Sequence, residues 1–224
     1  MATATRQGAE PAPASVIKTI AELLDELGGI PPHRVLLTPT PGTATEQDVL
    51  DMDDHHDRLC ELVDGVLVEK PMGLEESLLA TFLIYHLLGF VRRHDLGVMT
   101  GEAGPYRVRP GQVRLPDVAF ISRERFLARP DRDAPIADFS PDLAIEVLSK
   151  SNTRREMERK LGDYFAGGTR LVWYIDPKKR TVRVYTRPGQ PVTLKLGQIL
   201  DGGNVLPGFA LPLSELFAEL DRYK

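Results

Sequence analysis

Two acidic side chains stand inside stretches that otherwise have the makings of buried strands. In "PDLAIEVLSK", Pro141 to Lys150, the residues Leu143, Ala144, Ile145, Val147 and Leu148 suit a strand covered on both faces, and Glu146 lies among them. Burial of a carboxylate either raises its pKa until it is neutral or demands a cationic partner. Asp117 opens a second apolar run, Val118 to Ile121, directly after Pro116. Two acids at the ends of adjacent strands converge on one point. Their oxygens are hard ligands suited to Mg2+ or Mn2+, ions that keep positions open for water and phosphate. Each acid also has a plainer reading: an Asp after Pro is a common turn residue, and Glu146 fits one half of a buried ion pair.

The cations nearby extend the pattern. In "SNTRREMERKLGDYFAGG", Glu156, Lys160 and Tyr164 recur every four residues and so share one helical face. Thr153 as N-cap and Glu156 complete a capping box, which is the plainer account of that glutamate. Lys160 reads either as the solvated partner of Glu156 or as a group delivered to the Glu146 strand end by the helix that follows it. Lys150, four residues beyond Glu146, points to the same face of the strand and is the second candidate lysine. Tyr164 reads as core, with a lysine-orienting role as the alternative. Glu61, in the hairpin "ELVDG", is a further acid upstream.

These side chains need elements to position them. "RLCELVDGVLVEKP" is a β-hairpin, because Asp64-Gly65 supplies the positive φ angles of a two-residue turn. "EESLLATFLIYHLLGFVRRH" is a long, strongly apolar helix. Three strand candidates follow, "GVMTGEAGPYRVR", "VRLPDVAFIS" and "DLAIEVLS", the last two separated by a polar, Pro-rich loop, "RERFLARPDRDAPIADFSP". A helix over Arg154 to Ala166 is closed by Gly167-Gly168. "RLVWYID" is a buried strand containing Trp173, "TVRVYTR" and "VTLKL" form a meander, and "LPLSELFAEL" is a closing helix. This order predicts an α/β fold, a mixed sheet with helices on its faces.

Before the hairpin, residues 1–57 read as an N-terminal extension, and 58–224 as the main domain. The extension starts with a disordered tail, Met1 to Ala14. An amphipathic helix follows, with Ser15 as N-cap and Val16, Ile17, Ile20, Leu23, Leu24 and Leu27 as its stripe. A Pro-rich connector then ends in a short helix capped by Thr45. The helix stripe fits either a dimer contact or packing on its own domain. His55 and His56, in "DMDDHHD", read as a solvated polar segment, and His86 and His94 have no partner at ligand spacing.

The 224 residues carry 28 Lys+Arg against 32 Asp+Glu, a net charge of −4, so the whole-chain field does not attract a polyanion and any such ligand must meet a local basic patch. Three arginine groups offer one: Arg107, Arg109 and Arg114; Arg123, Arg125, Arg129 and Arg132; and Arg154, Arg155 and Arg159. A single cysteine, Cys60, suits a reducing compartment. With no apolar signal segment and no run near the roughly 18 apolar residues of a membrane span, the chain is expected to be cytoplasmic, with no membrane partner. Gly-rich phosphate loops, nucleophile elbows and Cys/His zinc patterns are missing from the sequence.

Taken in order, "ELVDGVLVEKP", a long helix, "RLPDVAFISRERF", "PDLAIEVLSKSNTRREMERKLGDYFAGGTRLVWYID" and "LPGFALPLSELF" resemble the Uma-two family of restriction endonucleases, within the PD-(D/E)XK nuclease superfamily. The resemblance spans about Leu59 to Leu220. It implies a restriction-endonuclease-like fold, Mg2+-dependent phosphodiester cleavage and DNA as partner. By it, Pro116-Asp117 is the PD, Glu146 the second acid and Glu61 the upstream acid, with all three as metal ligands. One departure stands out: the superfamily's lysine position, two residues after Glu146, holds Leu148. The resemblance implies that Lys160 is the migrated catalytic lysine. Two other readings stay open, a nuclease-like module that binds nucleic acid or protein without cutting, and a two-carboxylate hydrolase of another substrate such as a sugar. A homodimer fits a double-strand cut by a single-site domain.

Overall fold

Residues 19–56, 58–71 and 73–222 are described by the structure, a computed structural model. In chain order the elements are helices α1 (Ile20–Glu26) and α2 (Glu46–His56); strands β1 (Cys60–Val63) and β2 (Val66–Glu69); helix α3 (Leu74–Arg93); strands β3 (Gly97–Gly101), β4 (Tyr106–Arg109), β5 (Gln112–Arg114) and β6 (Val118–Ser122); helix α4 (Arg123–Ala128); strand β7 (Leu143–Val147); helix α5 (Arg154–Ala166); strands β8 (Leu171–Asp176), β9 (Thr181–Tyr185), β10 (Val192–Lys195), β11 (Ile199–Gly202) and β12 (Leu206–Pro212); and helix α6 (Leu213–Ala218).

A six-stranded mixed sheet, in the order β10-β9-β8-β7-β6-β3, forms the centre. Its only parallel neighbours are β7 and β8, and a parallel pair needs a crossover, which α5 supplies. Alternation along β7 then decides what each face meets. Leu143, Ile145 and Val147 join Leu79, Leu83, Leu87 and Val91 of α3 and Leu216 and Phe217 of α6 in one apolar cluster that also takes in Trp173. Ala144 faces the other way, onto Met157, Leu161 and Tyr164 of α5. Glu146 shares the parity of Ala144 and therefore faces α5. Each fully buried leucine of α3 contributes about 1.5–3 kcal/mol.

A second, antiparallel sheet of four strands runs β2-β1-β5-β4. The β1–β2 turn has Asp64 at φ 48° and Gly65 at φ 73°, as expected for Asp-Gly. Leu62, Leu67 and Val113 cover Val49 of α2, while Val63, Val66 and Val68 cover Leu23 of α1 and, just after it, Leu27, Ile30 and Val35. The Leu23, Leu24 and Leu27 part of the apolar stripe is thus packed on its own chain, and Ile20 is exposed. Ser15, expected as N-cap, lies outside the described residues, as do Val16, Ile17 and the expected tail; the described helix is capped by Thr19, whose side chain accepts from Glu22 N–H.

Several expectations are corrected. "GVMTGEAGPYRVR" is two strands, β3 and β4, in different sheets, and "VRLPDVAFIS" divides likewise into β5 and β6 at Leu115-Pro116-Asp117. Proline supplies no N–H to a ladder, so the chain leaves one sheet there and enters the other. The polar segment after β6 contains α4, capped by Ser122. The β11–β12 hairpin was not anticipated. "DMDDHHD" is largely the C-terminal half of α2, and its described His55 and His56 are exposed. Helix α3 does have the length and apolar composition of a membrane span. Its buried leucine row against the sheet is the use this fold makes of that composition.

Candidate active site

Because β6 and β7 are antiparallel, with Val118 opposite Ile145, the start of one lies beside the end of the other. Asp117 N–H donates to the Ile145 carbonyl at 3.0 Å, and Val147 N–H donates to Asp117 Oδ2 at 2.6 Å. Asp117 and Glu146 therefore meet on one small cleft, lined also by Glu61, Lys70, Lys160, Arg34 and Glu156. The Glu146 side chain is 6% exposed and that of Asp117 12%.

Helix α5 delivers two groups to Glu146. Its N-terminus is set by the capping box of Thr153 and Glu156, and Lys160 and Tyr164, one turn apart, both face inward. Lys160 Nζ lies 2.8 Å from Glu146 Oε1 and 2.7 Å from Glu61 Oε1, and the Tyr164 hydroxyl donates to Glu146 Oε1 at 2.5 Å. Tyr164 is thus a core residue whose one polar atom holds the glutamate. Lys150 is exposed, away from these contacts.

Glu61, on β1, stands one lysine removed from the acid pair. Arg114 Nη1 donates to its Oε2 at 2.8 Å and Leu115 N–H to its Oε1 at 2.9 Å, while Arg114 also binds Asp163 of α5. Its oxygens are thereby turned to Arg114, Leu115 and Lys160. Among the described residues no three Asp, Glu, His or Cys side chains stand together as a metal cage. Asp117, Glu146 and Glu61 all line the one cleft, and Glu61 anchors Lys160 within it.

Charge follows this geometry. Burial pushes the Glu146 carboxyl up, to about 7, with Asp117 and Glu61 adding to it against the pull of Lys160 and Lys70. Burial also acts to raise Glu61, but Lys160 and Arg114, helped by Leu115 N–H, outweigh it and hold that carboxyl at about 2. For Lys160, burial disfavours the ammonium; Glu146 and Glu61 more than reverse this, and it stays charged. The anion Glu61 and the cation Lys160 are fixed, and the Glu146 carboxyl on the other side of the lysine is poised.

Two charged residues at the site went unnoticed in the sequence. Lys70, beyond the end of β2, places Nζ 2.7 Å from Asp117 Oδ1, off hydrogen-bonding angles and so as an ion pair rather than a directed hydrogen bond. A signal existed: Val68 lies opposite Glu61 in the hairpin, and Lys70 follows it two residues on, along the same face. Arg34 gave no signal. It reaches Glu156 with two hydrogen bonds, 2.7 and 3.1 Å, and the Glu69 and Ser151 carbonyls with two more. Thr153 Oγ1 donates to the Gly28 carbonyl at 2.6 Å, and a Cβ at Gly28, where φ is 89°, would stand 2.6 Å from Glu156 N. Only glycine lets the chain approach α5 so closely. Arg34→Met is expected to strand Glu156 and to cost about 3–5 kcal/mol, read as a lower urea midpoint; adding Glu156→Gln should cost less than the sum of the two single changes.

The arginine groups expected to grip phosphate are largely committed elsewhere. Arg107 pairs with Glu46, Arg109 and the buried Arg114 with Asp163, Arg123 with Asp95, Arg154 with Glu158, Arg155 with Asp25 and Arg159 with Asp64; Arg125 binds the Ser140 carbonyl and Arg129 lies over the Phe126 ring. A groove open to solvent lies beside the cleft and shares Asn152 with it; Lys150, Arg154, Lys178, Lys179 and Arg183 line it together with Glu75, Glu76, Glu158 and Asp176. The cluster "DPKKR", after β8, was its sequence signal.

A protein family, Uma2, described as "Putative restriction endonuclease", matches residues 46–214. The chain belongs to this family. The match to Uma2 takes in Glu61, Lys70, Asp117, Glu146 and Lys160 and leaves Arg34 outside. In fold, this Uma2 chain is similar to the crystal structure of "a putative nuclease belonging to DUF820 from Anabaena variabilis ATCC 29413", at TM-score 0.65 and 20% identity, over 73% of this chain and 92% of that one. No curated protein matches.

Proposed function

We propose that this Uma2 chain is a metal-dependent endonuclease that hydrolyses phosphodiester bonds of DNA. The observation that carries the proposal is the meeting of Asp117 and Glu146 at neighbouring strand ends with Lys160 held on Glu146, in a chain of a restriction endonuclease family. Two carboxylates on one cleft fit Mg2+ or Mn2+, which is usually held by one or two carboxylates and completes its shell with water and substrate phosphate. Such an ion supplies a water of lowered pKa and offsets charge on the phosphate.

The residues of the chain do the rest. Asp117 is oriented by Val147 N–H and Glu146 by Tyr164. Lys160, kept charged and in place by Glu61, presents a fixed cation to a phosphate whose negative charge grows during cleavage; preorganised charge of this kind stabilises a transition state. Lys150, Lys178 and Arg183, in the groove that reaches the cleft past Asn152, would supply phosphate contacts to a nucleic-acid backbone. Cutting both strands would use two copies of the chain.

Supercoiled plasmid tests the reading. With Mg2+ or Mn2+ the expected product is nicked or linear DNA, and with EDTA the plasmid stays intact. Persistent inactivity of folded, metal-loaded protein on unmodified, modified and single-stranded DNA would favour the second reading, a binding module. One observation leans that way: Lys70 already neutralises Asp117.

A further inference from the structure

The two lysines of the site are held in unlike ways. Lys160 is shared between Glu61 and Glu146, whereas Lys70 meets a single carboxylate oxygen, Asp117 Oδ1. Asp117 Oδ2 is taken by Val147 N–H at 2.6 Å, which makes Oδ1 the oxygen through which Asp117 meets a cation. The Lys70 side chain is 4% exposed, and its Nζ has no directed hydrogen bond. An ammonium held by one carboxylate oxygen has fewer partners to leave than Lys160 has, and four methylenes let it move.

We infer that Lys70 competes with the divalent ion for Asp117 Oδ1, so that this residue sets how tightly the protein holds its metal. The inference rests on the metal-dependent reading above. A Mg2+ or Mn2+ ion sits about 2.1 Å from a carboxylate oxygen, so an ammonium at 2.7 Å from the same atom would stand only about 4 Å from the ion. Like charges so close repel strongly in a site shielded from water. Lys70 therefore withdraws when the metal enters, and the cleft offers it the phosphate that the substrate brings. Metal and substrate then favour each other's binding, and the coupling is reciprocal.

Calorimetric titration with Mn2+ alone, on wild-type protein, Lys70→Met and Asp117→Asn, tests this without any cleavage assay. Methionine keeps the volume of the stem and removes the charge; Lys70→Gln is titrated in parallel, so that poor folding of one variant leaves the other to decide. Loss of the competing cation is expected to tighten Mn2+ binding on the order of tenfold, and Asp117→Asn to weaken it. Equal or weaker Mn2+ binding by the Lys70 variants overturns the inference and leaves the metal site standing. Absence of binding by wild type and Lys70 variants alike overturns both the inference and the metal-dependent reading.

Discussion

Asp117→Asn is expected to reduce metal-dependent cleavage by at least about 10²–10³-fold, the scale on which enzymes lose rate when one transition-state contact is removed, and to leave the protein folded. The amide oxygen can still accept the Val147 N–H that holds the strand ends together. What it loses is the charge that pairs with Lys70 and holds a cation. The structural penalty is about 3 kcal/mol, at the lower end for a broken buried pair, because the amide oxygen still faces the ammonium that has lost its counter-ion. Cleavage rates measured beside thermal unfolding separate the two effects. A folded Asp117→Asn protein that cuts like the wild type would remove Asp117 from the reaction.

Lys160→Met is expected to be the second severe change, and Lys150→Met, at the second candidate lysine, a silent one. The Lys160 ammonium is the link between Glu61 and Glu146, so its loss leaves two buried carboxylates short of a cation. Glu61 keeps Arg114 and Leu115 N–H, and Glu146 keeps Tyr164 and can take up a proton, so the stability loss is about 3 kcal/mol, at the lower end for a broken buried pair. Cleavage should fall by about 10²-fold or more. Exposed Lys150 should change stability by less than about 0.5 kcal/mol. Single-turnover cleavage and urea unfolding of both variants decide it; the reverse pattern would transfer the role to Lys150.

What could be read beforehand was whatever depends on neighbours in sequence. Period-two alternation in β7 puts Glu146 on the α5 face, and the four-residue spacing of Lys160 and Tyr164 puts both beneath it. The capping box and the Asp64-Gly65 turn are equally local. What escaped depends on which strands become neighbours. Whether Arg114 meets solvent phosphate or Glu61 is settled by the pairing of β1 with β5, and no pattern within "GQVRLP" reveals that pairing. The hairpin puts Lys70 on the face of Glu61, but its meeting with Asp117, far along the chain, depends in the same way on which strands become neighbours, as does the meeting of Arg34 with Glu156. Long-range ion pairs need only opposite charge, and a chain with 28 basic and 32 acidic residues offers too many combinations for composition to select among.

The hold of Arg34 on Glu156 also has a consequence for synthesis. The arginine is made 122 residues before its partner, which at about 5–20 residues per second is a wait of roughly 6–25 s on the ribosome. Over that interval α1 and the hairpin can associate, but the surface they present to α5 faces water. Helix α5 is thus the part that closes the cleft, and a nascent chain cannot assemble this site until most of the protein has been translated.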